Sequence, residues 1–232
     1  MYKSIRILNW SSGKDAAYTL WILRQQNKAV DSLLTTLNES NDRVSMHGLR
    51  GSLLDRQAAS IGLPLHKITL PDPCSMDEYN NLMQSALVTY DHYKHKKAVY
   101  GDIFLRDLRE YREQQLSKAG FEAEFPLWDC DTKQLALQII DAGFKAVVVC
   151  VNAARLDATY CGRDFDRRFI DELPENVDPC GENGEFHTFV FDGPVFKKPV
   201  RVRQGQTVKR IYPSDTNGSF DREFYYTDLL PY

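Results

Sequence analysis

No CxxC pair occurs in the chain, and its five cysteines, Cys74, Cys130, Cys150, Cys161 and Cys180, are odd in number and widely spaced. That pattern argues against a disulfide framework or a thiolate zinc site and for free thiols in a reducing compartment. An excess of positive charge is also missing. With 29 Lys and Arg against 32 Asp and Glu the net charge is −3, so no global basic field supports nucleic-acid or membrane-surface binding. No uninterrupted apolar run reaches the roughly 18 residues of a membrane span, and no charged-then-apolar leader opens the chain. Internal repeats and low-complexity tracts are absent as well. A cytosolic protein that contacts neither membrane nor nucleic acid is therefore expected.

What is present is enough for a real core: 232 residues, 43% hydrophobic and 12% aromatic, fit one large or two small domains. Short apolar runs at 5–10, 33–37, 65–70, 98–104 and 146–151 alternate with helix-patterned segments. The alternation predicts an α/β fold, an open and mostly parallel sheet with helices on both faces. Tyr79, Leu82, Met83, Ala86, Leu87 and Tyr90 follow the spacing of one buried helix stripe, and Ser75 with Glu78 predicts a capping box before it. Beyond Val151 the chain turns rich in glycine and proline, which predicts a smaller α+β region with a hairpin or two, and 121–128 (FEAEFPLW) reads as a linker. The apolar C-terminal stretch FYYTDLLPY either docks elsewhere or packs back on the core.

Three stretches carry candidate chemistry. In LNWSSGKDAAYTL, residues 8–20, a strand runs into a tight turn and a helix start, where backbone N–H groups and the helix dipole favour an anion. Gly13 would allow close approach, Ser11 and Ser12 can donate, and Lys14 adds a point charge. The Walker A pattern does not fit, because Leu8 stands where it needs glycine and Asp15 where it needs Ser or Thr. A phosphate loop and a serine-capped helix remain equally supported by these residues alone. Gly101 and Asp102 lie at the end of the fourth predicted strand, the edge where open α/β sheets bind ligands, followed by Arg106, Arg109 and Arg112. Residues 179–200 gather Glu182, Glu185, His187 and Thr188, a set suited to proton transfer and substrate orientation. The Asn183-Gly184 dipeptide within it also suits a plain hairpin turn.

SSGKDA resembles the SGGKDS signature of the PP-loop ATP pyrophosphatases, with Ser12 in place of a glycine and Ala16 in place of a serine. PCGENGEFHTFVFDGPVFKK resembles the GENGEFHT signature and following tail of the ATP-binding diphthamide-synthase family, and FPLW, YCGRDFDRRFIDEL and the block at 45–65 add to the likeness in the same order. About the first 200 residues are covered by this resemblance. It implies an adenine-nucleotide α-hydrolase-like fold, with a PP-loop ATP-binding domain at 1–125 and a substrate-binding domain at 126–232. It further implies an amide ligase that adenylates a carboxylate with ATP and Mg2+, releases pyrophosphate, and lets ammonia displace AMP. The family's acceptor is diphthine, a modified histidine on translation elongation factor 2. Carried over residue by residue, Ser11, Ser12, Gly13, Lys14 and Asp15 hold phosphates, with Gly101 and His47 lining the nucleotide pocket. Asp102 takes magnesium or ammonia, while Glu182, Glu185 and His187 position substrate and move protons, Glu185 foremost. No residue set is expected to form a metal site of its own. Rival readings keep the chemistry on another small-molecule or protein acceptor, or reduce the chain to a non-catalytic adenine-nucleotide binder. A PP-loop tRNA-modifying enzyme fits less well, given the cysteine spacing and the charge.

Overall fold

The computed structural model describes residues 4–44, 47–212 and 223–232. Five strands, β1 (Ser4–Asn9), β2 (Ser32–Asn38), β3 (Leu65–Leu70), β4 (His95–Val99) and β5 (Phe121–Glu124), form a sheet in the order β3-β2-β1-β4-β5. Every pairing in it is parallel. Helices α1 (Lys14–Gln25), α2 (Gly51–Ile61), α3 (Met76–Val88) and α4 (Arg106–Lys118) make the crossovers. Side-chain alternation along the strands assigns the helices to faces. Ile5 and Ile7 of β1 pack in one cluster with Leu87 of α3 and Leu116 of α4. Leu8 and Trp10 pack in the other with Leu20 of α1 and Leu53 of α2. The expected parallel sheet covered on both faces is present.

Helix α5 (Thr132–Asp141) leads to a second sheet made of β6 (Lys145–Asn152), β7 (Phe186–Asp192), β8 (Val202–Ile211) and β9 (Glu223–Pro231). Its order is β7-β6-β9-β8, antiparallel throughout, with the short helix α6 (Arg167–Asp171) between β6 and β7. Val147 and Val149 of β6 and Phe186 and Phe189 of β7 belong to the same cluster as α1 and α2, so the two sheets share a core.

Several local expectations need adjustment. The run at 146–151 forms β6 of the antiparallel sheet; all but Lys145 of this strand is buried, so both faces are apolar and the pattern carries no mark of pairing direction. The fourth strand begins earlier, at His95, and ends at Val99; its early polar part is accommodated because the Lys96 ammonium lies 5.2 Å from the Phe121 ring centre and pairs with Asp91 at 2.7 Å. Residues 121–124 form an edge strand rather than a linker. The expected stripe is only partly buried and outruns α3: Leu87 is its buried member in the helix, and Tyr90, buried as well, lies two residues past the helix end. The Ser75–Glu78 capping box of α3 is formed as expected. Asn183-Gly184 makes a turn, with Gly184 at φ +82°, but β7 pairs with β6 and no hairpin forms there. The C-terminal stretch packs back as β9, and all five cysteines are free. No helix among the described residues is long and apolar enough to cross a membrane.

Candidate active site

The loop between β1 and α1 is fixed from below by one side chain. Gln57 of α2, fully buried, accepts from Trp10 Nε1 at 2.9 Å. It donates to the carbonyls of Ser12 at 3.1 Å and Val190 at 2.7 Å. Both amide hydrogens and the amide oxygen are therefore bonded, which is what makes its burial tolerable. Val190 N also donates to Ser12 O at 3.0 Å, tying the loop to β7. Trp10 and Gln57 thus support the loop without facing a ligand; no motif marks such a role, and only the contact reveals it.

At the start of α1, Lys14 N donates to Thr188 Oγ1 at 3.1 Å. Residues 174 positions apart therefore meet at the helix end whose dipole favours anions. Lys14 is 2% exposed. Its ammonium binds Asp15 Oδ2 at 2.9 Å and the Cys180 carbonyl, and lies 5.4 Å from the Phe165 and Phe186 ring centres. Burial pulls its pKa down, but the acidic groups around it, Asp15 first, outweigh burial and raise it, so the cation persists. Gly13 is closely walled: a Cβ there would meet His47 Cε1 at 3.2 Å and Thr188 O at 3.3 Å. Gly101 meets a different need. A Cβ at that position would sit 2.9 Å from the Asp15 carbonyl carbon, so glycine lets the end of β4 rest against the first turn of α1.

The acidic residues divide by partner. Glu185, 3% exposed, accepts from Asp178 N, Asn183 N and Asn183 Nδ2, each at 3.0 Å, and so organises the turn around 178–185. Asp178 shares this work by accepting from Cys180 N at 3.1 Å and Glu182 N at 2.9 Å. Glu182 points elsewhere and accepts from Ile103 N at 2.7 Å, bridging to the loop after β4. Burial, with the charges of Asp15 and Asp102 behind it, pushes Glu182 up to about 7 despite that hydrogen bond. Asp102 pairs with Arg112, Oδ2 to Nε at 2.7 Å, and Arg112 lies 4.1 Å from the Tyr100 ring centre. Burial raises Asp102 as well, opposed by Arg112. Of the three arginines on α4, Arg112 faces the site, while Arg109 pairs with Glu113 and covers Trp128.

His47 and His187 stack above Gly13, ring centres 4.6 Å apart. His47 Nδ1–H donates to Thr188 O at 3.3 Å. Burial first, then the Lys14 charge, holds His47 at about 4, and burial, then His47 and Lys14, holds His187 well below its usual range, so both rings are neutral at pH 7. Among the described residues around this loop Ser12 Oγ, Asp15 Oδ1 and His187 Nε2 are buried without a hydrogen-bond partner, as are several polar atoms elsewhere, Thr19 Oγ1 and Ser32 Oγ among them. Two potential donors, one spare carboxylate oxygen and a fixed cation therefore surround the loop. No group of three or more His, Cys, Asp or Glu that could hold a metal occurs among the described residues. The structure thus brings Ser12, Gly13, Lys14, Asp15, His47, Asp102, Glu182, His187 and Thr188 into one region, with Ser11 on its rim and Glu185 behind the loop it orders.

Comparison with known proteins finds matches across both halves of the chain. The family model described as "Diphthamide synthase N-terminal domain" matches residues 3–122, and that described as "Diphthamide synthase C-terminal domain" matches residues 131–221. The chain is similar to the diphthine-ammonia ligases of Bos taurus and Homo sapiens, each 24% identical over 225 residues, covering 85% of this chain and 82% of the relative. The diphthine-ammonia ligase of Danio rerio is 28% identical over 171 residues, covering 67% of each chain.

Proposed function

The chain belongs to the diphthamide synthase family, and from that membership we propose that it is a ligase of diphthamide biosynthesis that uses ATP to join ammonia to a carboxylate. The observation that carries the reading is the bond from Lys14 N to Thr188 Oγ1, which seats the SSGKDA loop against the GENGEFHT segment. Two stretches far apart in the chain thereby lie side by side, which supports reading them as one site.

In this reading the β and γ phosphates of ATP lie at the start of α1, held by the Lys14 charge and by the Ser11 and Ser12 hydroxyls. His187 donates from Nε2, its neutral state leaving one ring N–H and no competing charge. The unpartnered residues fit a phosphate ligand, because Ser12 Oγ and His187 Nε2 are buried with nothing to bond. Asp15, through its unpaired Oδ1, is the protein group that would hold a magnesium ion. The ion would neutralise phosphate charge. An acceptor carboxylate oxygen attacks the α phosphorus, and pyrophosphate leaves with the P–O bond electrons. Ammonia then attacks the activated carbonyl carbon, AMP departs, and the excess N–H proton passes to a base. Glu182, with a pKa of about 7, is matched to that transfer at neutral pH. Glu185 shapes the turn that presents Glu182, while the Asp102–Arg112 pair fixes the opposite wall.

Incubation with ATP, Mg2+, ammonium and diphthine-bearing elongation factor 2 should release AMP and pyrophosphate in equal amounts. Release of ADP, or no turnover, would overturn the assignment. Gly13→Val should abolish ATP binding, since the added methyls enter space already bounded by His47 and Thr188.

A further inference from the structure

The turn that carries His47 has a second side. Gly48, the next residue, packs so tightly on Tyr226 that a Cβ would approach its ring to 2.7 Å. Between this turn and the outer face of β8 and β9 runs a groove of about 400 Å3, within the range of ligand pockets. Arg43, Gly48, Val208, Arg210, Tyr226 and Asp228 are the lining residues that matter. Val208 stands opposite Tyr226, so Arg210, two residues along, shares their face, and Lys209 projects to the other.

The groove has a surplus of positive charge. Asp228 is shared by two guanidiniums, from Arg43 at 2.9 Å and Arg50 at 2.6 Å, and these hold it ionised below the usual carboxylate range although burial acts the other way. Arg210 adds a third cation. It is exposed, lies 5.7 Å from the Tyr226 ring centre, and has no ion-pair partner among the described residues. A guanidinium set over a ring, with its fork unpaired among the described residues, is suited to bind a carboxylate through two N–H groups.

Two anions must meet in the reaction proposed above. The phosphates have the Lys14 loop, and the nucleoside end of ATP is uncharged and needs no arginine. A second cationic site, one residue from His47, matches the other anionic reactant. We propose that this groove is the acceptor subsite, with Arg210 the anion contact that selects a carboxylate-bearing substrate. The inference rests on the ligase reading. The groove opens beside β8, exposed along nearly its whole length, which leaves room for an acceptor carried on a larger body.

Equilibrium titrations of Arg210→Glu against diphthine-bearing elongation factor 2, against free diphthine and against ATP test the assignment. Both diphthine forms should bind at least tenfold more weakly, with ATP affinity unchanged. Lys209→Gln, on the opposite face of the same strand, should match the unsubstituted protein in all three. An equal loss of ATP affinity overturns the proposal by giving the groove to the nucleotide. Unaltered acceptor binding overturns it directly, and a loss confined to the elongation factor overturns it by moving the contact from the carboxylate to the protein body. If the unsubstituted protein binds neither diphthine form, the ligase reading itself fails, a result separate from any behaviour of the variant.

Discussion

Ser12 is held at φ +76°, in the left-handed region, with a hydroxyl that is fully buried and unpartnered. The SGGKDS signature that this loop resembles has glycine here, and the backbone angle explains why glycine suits the position. A left-handed non-glycine residue costs about 1–2 kcal/mol and a buried unpaired hydroxyl about 1–3 kcal/mol, against about 0.4–1 kcal/mol of chain entropy that serine saves. Ser12→Gly should therefore stabilise the fold by about 1 kcal/mol or more in urea unfolding, while weakening ATP binding if the hydroxyl serves a phosphate. Unchanged ATP affinity would remove Ser12 from the site. Glu182 makes a pH-dependent prediction. Its folded pKa of about 7 lies above its ordinary 4.5, so between those values the folded chain keeps a proton that the unfolded chain has lost. Stability must then fall as pH rises through that window and level off above it. Glu182→Gln should flatten this slope in unfolding experiments at pH 5 and pH 8, and it should erase the limb near pH 7 in the rate of amide formation. A variant with the original slope would mean that Glu182 does not titrate there.

Helix α3 shows how an element can be specified apart from the site. Ser75 Oγ accepts from Glu78 N at 3.2 Å while Glu78 reaches back to Ser75 N at 2.9 Å. Ser75→Ala should cost about 1 kcal/mol, lowering the urea midpoint without altering ATP affinity, since α3 packs on the sheet face opposite α1. This helix was legible because capping and periodicity are local signals. The strand β5 was not, because Phe121, Glu122, Ala123 and Glu124 offer only four residues beside a Phe-Pro pair. The pairing of β6 was illegible for a different reason, since a strand buried on both faces reads the same in either kind of sheet. At the site, the loop residues and the 182–188 cluster were readable from chemistry and spacing. That Glu185 orders the turn while Glu182 faces Asp102 and Asp15 depends on which way each side chain points, and two glutamates within one turn carry no such label.

For the whole molecule, the question is whether the parallel sheet stands without the antiparallel one. The cluster containing Leu8, Trp10, Leu20 and Leu53 also contains Val147, Val149, Phe186 and Phe189, so removing β6 and β7 would strip cover from α1 and the β1 end. Polar ties follow the same boundary. Ser12 O would lose Val190 N, Gln57 Nε2 would lose one of its two acceptors, Lys14 N would lose Thr188, and Arg24 would lose the Val195 carbonyl. Lys14 would keep Asp15 but lose Cys180 O and the two rings that shield its charge. With their partners gone these groups would turn to water, which forfeits about 0.5–1.5 kcal/mol per hydrogen bond; added to the apolar surface laid bare, at about 25 cal/mol per Å2, the loss exceeds the margin of about 5–15 kcal/mol by which a domain is folded. Residues 1–125, expected from the sequence to form the ATP-binding domain, should then fail to fold when expressed alone. The fragment should show no cooperative melt by circular dichroism and no ATP binding, while the full chain should unfold in one transition seen alike by tryptophan fluorescence and far-ultraviolet signal. A cooperative transition in the fragment, or two separate transitions in the full chain, would mean that the phosphate loop is organised before the GENGEFHT segment reaches it. The site would then be assembled by docking of two stable bodies rather than by folding of one.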